Sequence, residues 1–109
     1  MMEAYESSEL LSERQRSERL YLEFLRKPSM SMGVYELAAG ATDPQRPHTE
    51  DEVYYVLSGQ AFINVATEDR QIQPGSIIFV PANIAHRFHS ITEDLTLLVF
   101  FSPAESLKS

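Results

Sequence analysis

The chain contains no cysteine, so no disulfide can staple it, and any metal it holds must be taken by nitrogen and oxygen ligands. It is poor in positive charge: 9 lysines and arginines against 16 aspartates and glutamates leave a net charge of −7. The basic residues form no run or stripe, which argues against a nucleic-acid partner, and the same charge opposes an anionic membrane surface. No apolar stretch approaches the ~20 residues needed to span a bilayer. The opening Met1-Met2-Glu3-Ala4-Tyr5-Glu6 is acidic and polar where a secretory signal needs a basic start and an apolar run. A cytoplasmic protein without nucleic-acid or membrane partners is the expectation. Also missing are a glycine-rich phosphate loop, a Gly-x-Ser-x-Gly elbow and a cysteine nucleophile.

What is present suits one modest core: 109 residues, 43% of them hydrophobic and 10% aromatic. Residues 6 to about 17 read as a short helix, with Ser7 or Ser8 as cap, Arg14 and Arg16 near its end, and Leu10 and Leu11 as its buried contacts. From residue 20 the pattern alternates, predicting strands over 20–26 and from 30 to about 39, then a loop over 40–47 with Pro44 and Pro47. Further strands are expected over 52–57 and 60–66, separated by a Ser58-Gly59 turn. After a turn at 67–69 they continue over 76–80, 85–90 and 95–101, with a turn at Thr92-Glu93-Asp94. About eight short strands argue for an all-β jelly-roll barrel over residues 20–103, preceded by a helical arm over 1–19 and followed by a polar tail over 104–109.

Two segments stand out within this frame. His48-Thr49-Glu50-Asp51-Glu52 leads into an apolar and aromatic strand ending at Ser58-Gly59, and Pro81-Ala82-Asn83-Ile84-Ala85-His86 follows another strand. If 48–52 is extended, the two-residue period puts His48 and Glu52 on one face, and Tyr54 shares the parity of Glu52 while Tyr55 faces the other way. Gly40, His48, Glu52 and Gly59, then Gly75, Pro81 and His86, fall at the spacing of the two motifs of the cupin superfamily. The sequence resembles small single-domain cupins over roughly residues 33 to 101. That resemblance implies a jelly-roll barrel enclosing one divalent metal ion (Fe, Mn, Ni or Zn), with His48, Glu52 and His86 as ligands.

The motif's first histidine is replaced by Arg46, whose guanidinium has no lone pair for a metal. Asn83 stands for the second motif's glycine and Ser90 for its terminal Asn; Asn tolerates left-handed backbone conformations. The remaining two imidazoles and one carboxylate are the set expected of non-haem Fe(II) sites with open positions. Gln45 adjoins the vacated position, and by resemblance its amide oxygen is a fourth, weak ligand. Alternatively Arg46 points inward to bind a substrate carboxylate or pair with Glu52. Tyr54 and Phe88 are expected to line the pocket or simply to fill the barrel. His89 falls on the opposite strand face from His86 and reads as a surface residue, and Glu50 and Asp51 read as solvated edge residues. The competing structural reading makes His48 and His86 packed core histidines of a barrel that has lost its metal.

By resemblance, the function implied is a metal-dependent enzyme, leaning to a dioxygenase-like oxidoreductase, an isomerase or a lyase, acting on a small oxygen-bearing substrate. The alternative is a non-catalytic module that binds or senses a small molecule; fold alone does not choose between them. A homodimer is the expected assembly, with the N-terminal helix and its neighbouring strands as the natural surface.

Overall fold

The computed structural model describes residues 1–106. Helix α1 covers Ser7–Ser17 and buries Leu10. Its N-cap is Glu6, which makes no side-chain cap hydrogen bond, so the expected serine cap is not formed. Ser7 and Ser8 lie inside the first turn, where exposed N–H groups are left to water. Arg14 ties the helix to the sheet, bonding the Glu36 carboxylate through Nε and the Arg19 carbonyl through a terminal nitrogen.

Six strands follow: β1 (Tyr21–Lys27), β2 (Met30–Leu37), β3 (Asp51–Val65), β4 (Glu68–Ile72), β5 (Ile77–Val80) and β6 (His86–Ser102). They form an antiparallel sheet in the order β1-β2-β6-β3-β4, with β5 paired to β3. Four of the expected short strands, 52–57 with 60–66 and 85–90 with 95–101, merge into two because the turns at Ser58-Gly59 and Thr92-Glu93-Asp94 do not break pairing. Ser58 still opposes Thr96 and Gln60 opposes Glu93, so the irregular residues are absorbed as bulges within two long strands. Gly59, at φ 102, is required there, since a Cβ would collide with the Asp94 backbone. Residues 68–72, expected to carry the chain back from a turn, form β4 by pairing with the end of β3.

The bulges matter for function because they fold the sheet on itself. His86 pairs with Val65 at the far end of β3, 13 residues beyond Glu52 (65 minus 52). A straight strand would separate those positions by about 43 Å, more than the longest extent of the molecule, 39 Å. Yet the imidazole of His86 lies 3.1 Å from the Glu52 carboxylate. Curling β3 and β6 brings both ends of one strand to one site. Leu37, Tyr54, Val56, Ile63, Ile72, Val80, Phe88, Leu95 and Leu97 fill the enclosed space. Among the described residues no helix is long and apolar enough to cross a membrane.

Candidate metal centre

His48 precedes β3, where the chain bends at Thr49-Glu50 rather than running extended. Its carbonyl accepts the Asn83 N–H at 2.6 Å, joining the two motif segments through the backbone. Asn83 has φ 64, the left-handed conformation that its motif position demands and that Asn adopts more readily than most residues. Glu52 sits between Val80 of β5 and Phe101 of β6 and is 1% exposed. His86 opens β6 with Nδ1 2.9 Å from the Ile84 carbonyl; that oxygen can only accept, so Nδ1 carries the proton and Nε2 keeps its lone pair.

The ligand atoms of His48, Glu52 and His86 all lie within 4.8 Å of one another. His48 Nε2 and both carboxylate oxygens of Glu52 are buried without a hydrogen-bond partner. An ionised carboxylate taken out of water and left unpaired costs several kcal/mol, and a cation in contact with all three residues removes that cost. The donor set therefore fits a divalent ion. Before any ion binds, burial opposes the charged form of His86, but contact with Glu52, the Ile84 carbonyl and the charges of Glu52 and Asp43 outweigh it. Its proton affinity is raised above that of an ordinary histidine.

A hydrogen-bonded chain holds this centre in place. Buried Asp43 accepts from the Tyr35 hydroxyl at 2.7 Å, the Gln45 backbone N–H at 3.1 Å, the Gln45 side-chain amide at 2.8 Å and the Phe88 N–H at 2.9 Å. Because the carboxylate takes the NH2 end of Gln45, the amide oxygen turns the other way and accepts from the Tyr54 hydroxyl at 2.7 Å. The Tyr54 oxygen lies 3.1 Å from His86 Nε2. Burial, and then the nearby charge of Glu52, push the Tyr54 phenol well above its usual range, so it stays protonated.

Beside the centre is a cavity of about 120 Å³. His48, Glu52, Gln45 and Glu105 supply its polar wall, and Tyr21, Tyr35, Val99 and Phe101 its aromatic and apolar wall. No lysine or arginine lines it among the described residues. Tyr21 lies flat over Gly33, where a Cβ would collide with its ring, and its buried hydroxyl has no hydrogen-bond partner.

Of the residues singled out in the sequence, the fold brings His48, Glu52, His86 and Gln45 together. Arg46 is exposed and outside the cavity wall, turned away between the two prolines while Gln45 is pinned to Asp43. Tyr54 and Phe88 are interior, packed edge to face at 4.8 Å, behind rather than on the cavity wall. His89 meets Asp69 at the surface, 2.6 Å away. Glu50, expected to be solvated, is 5% exposed: its carboxylate accepts from Thr49 and from the backbone and hydroxyl of Ser106. The expectation failed because its partner lies 56 residues downstream. Asp51 is exposed and accepts the Ala82 N–H.

Asp43 and Glu105 escaped the sequence reading. An aspartate two residues before Gln45 in a proline-flanked loop is an Asx-turn signal that could have marked Asp43; nothing local marks Glu105. The polar tail expected over 104–109 is described only as far as Ser106, and residues 107–109 lie outside the described residues.

With this geometry in hand, the cupin domain model matches residues 33–101. The chain belongs to the cupin family. This cupin is 52% identical over 105 residues to an uncharacterised protein of Streptomyces coelicolor, covering 96% of this chain and all of that one. It is 32% identical over 66 residues to an acireductone dioxygenase of Tuber melanosporum, 56% of this cupin and 38% of the relative, so it spans well under half of that enzyme's length. Among solved structures, the Thermus thermophilus protein TT1209 superposes with a TM-score of 0.74 over 94% of this chain and 99% of that one, a likeness of fold at 24% identity. The DMSP lyase DddQ of Ruegeria pomeroyi superposes with a TM-score of 0.66 at 25% identity over 70% of this chain and 39% of that one.

Proposed function

We propose that this cupin is a mononuclear metal-dependent enzyme acting on a small oxygen-bearing substrate, by dioxygenase, isomerase or lyase chemistry. The observation that carries the reading is the convergence of one ligand atom each from His48, Glu52 and His86 within 4.8 Å of one another, with His48 Nε2 and both Glu52 oxygens buried and without a hydrogen-bond partner. The acireductone dioxygenase and the DMSP lyase among its relatives support a catalytic use of the barrel. Bound by these three residues, a divalent ion supplies Lewis-acid polarisation of the substrate and, if it is iron, dioxygen activation.

The chain's own residues do the rest. The Ile84 carbonyl fixes the ring of His86, and Asp43 fixes Gln45 at the cavity wall, where its amide can orient a substrate or serve as a weak fourth donor. The unpartnered Tyr21 hydroxyl is a donor for a substrate oxygen, and it stays a phenol because burial and the neighbouring carboxylates raise its pKa far above the usual value. With no cation on the wall, the cavity favours a neutral molecule or one whose negative charge is taken by the ion. The expected cytoplasmic homodimer stays part of this reading; the exposure of Ile77 at 71% and Phe79 at 58%, beside Val53, Tyr55 and Phe100, supports an assembly through β5 in place of the N-terminal helix surface expected from the sequence.

Metal analysis tests the reading. Protein purified without chelator, or reconstituted, should carry one divalent ion per chain, and His48→Ala with His86→Ala should abolish it while the barrel stays folded. Fewer than ~0.1 ion per chain after reconstitution would overturn it. Conversion of small oxygen-bearing compounds by the loaded protein separates catalysis from the binding-module alternative, which shows saturable binding without turnover.

A further inference from the structure

Past β6 the chain turns back across the cavity. Residue 104 donates its N–H to the Pro28 carbonyl at 3.5 Å. Glu105 donates its N–H to Ser31 Oγ at 2.9 Å and its carbonyl accepts from Arg26 at 2.6 Å. Ser106 donates to Glu50 through its backbone at 3.2 Å and its hydroxyl at 2.6 Å. The main chain on both sides of Glu105 is therefore held against the strands. The Glu105 side chain enters the cavity wall, with Oε2 3.2 Å from His48 Nδ1.

A neutral imidazole carries one N–H and one lone pair, and an ionised carboxylate can only accept. With Glu105 Oε2 3.2 Å from Nδ1, the carboxylate favours the tautomer that carries the proton there, which leaves the lone pair on Nε2, an atom buried without a protein partner. The two histidines are thus oriented alike through Nδ1. His86 uses the Ile84 carbonyl two residues before it, whereas His48 relies on a carboxylate delivered from 57 residues downstream (105 minus 48).

We infer that Glu105 is a positioning residue of the metal centre: the C-terminal segment completes the site by fixing the ring and tautomer of His48. The inference rests on the metal reading above and adds to it a part of the chain outside both cupin motifs. A carboxylate behind a ligating histidine raises its basicity as well as setting its orientation.

The test compares full-length wild type, Glu105→Ala and Glu105→Gln by Ni²⁺ titration of the metal-free protein and by 15N resonances of the His48 imidazole. Glu105→Ala should weaken Ni²⁺ binding about 10- to 100-fold and release the Nδ1-protonated tautomer. Glu105→Gln should restore both in large part, because its amide oxygen still accepts the Nδ1 proton. A purely structural role for the tail predicts no change of tautomer and no rescue by glutamine. An alanine variant with affinity within about twofold of wild type and an unchanged tautomer overturns the inference. If wild type takes up no Ni²⁺, the metal reading fails, and the tautomer still decides separately whether Glu105 positions His48.

Discussion

Asp43 and Gln45, two residues apart, are joined twice: one carboxylate receives both the backbone N–H of Gln45, at 3.1 Å, and its side-chain amide, at 2.8 Å. Those two hydrogen bonds orient the Gln45 oxygen toward the Tyr54 hydroxyl, whose oxygen lies 3.1 Å from His86 Nε2. Removing the carboxylate leaves the buried Tyr35 hydroxyl and Phe88 N–H without acceptors. Asp43→Ala should therefore cost about 3 kcal/mol, since each buried unsatisfied group costs about 1–3 kcal/mol. Urea unfolding measures it, and a loss below about 1 kcal/mol would show that Asp43 does not organise the site.

Glu52 should carry the stabilisation that metal gives. Its carboxylate is 1% exposed with neither oxygen hydrogen-bonded. In metal-free protein, Glu52→Gln removes a buried charge together with its 3.1 Å pairing to His86, two opposed effects that should leave stability within about 1 kcal/mol of wild type. Wild type should gain about 2.7 kcal/mol when the ion is present at a hundred times its Kd, a gain the variant lacks. Thermal unfolding with and without chelator reads both effects; a Glu52→Gln variant that the ion stabilises as much as wild type contradicts the argument.

Alkaline titration should divide the five tyrosines. Burial raises the phenols of Tyr21, Tyr35 and Tyr54, the Asp43 charge adding to Tyr35 and the Glu52 charge to Tyr54. A pKa raised on folding means that the folded state holds the proton more tightly. The resulting stability is whole below the unfolded value of about 10 and is lost as pH climbs beyond it. The three should ionise only as the barrel unfolds, seen as a cooperative step in phenolate absorbance coincident with loss of circular dichroism. Their ionisation in still-folded protein would refute the assignment.

The apolar face around β5 bears on assembly. Ile77 and Phe79 alternate outward on a strand of four residues, beside Val53 and Tyr55 of the paired β3. Wild type should sediment as a dimer, and Ile77→Ser with Phe79→Glu as a folded monomer. A monomeric wild type at micromolar concentration removes the dimer.

The strand face of Glu52 and Tyr54 and the extended segments were legible because each depends on residues close in sequence, and the meeting of His48 with His86 was implied by the resemblance to the cupin motifs. Ser58-Gly59 and Thr92-Glu93-Asp94 misled for the same reason: turn chemistry is local, and whether it ends a strand or bulges it depends on the opposing strand. Arg46 and Gln45 are neighbours with similar claims on the vacant ligand position; only Asp43, whose bond was invisible in the chain, decides which of them faces the cavity.

What the sequence by itself determined is the all-β jelly roll, through alternation over a few residues, and, through its resemblance to cupins, the candidate group of His48, Glu52 and His86. What only the tertiary structure decided is the surrounding of those ligands: Asp43 beneath Gln45, Glu50 held by Ser106, and Glu105 behind His48. These contacts join the 40s loop to itself and to the chain's last described residues. They exist only because curled strands and a returning tail place them within hydrogen-bond reach, and no periodicity in the chain encodes that meeting.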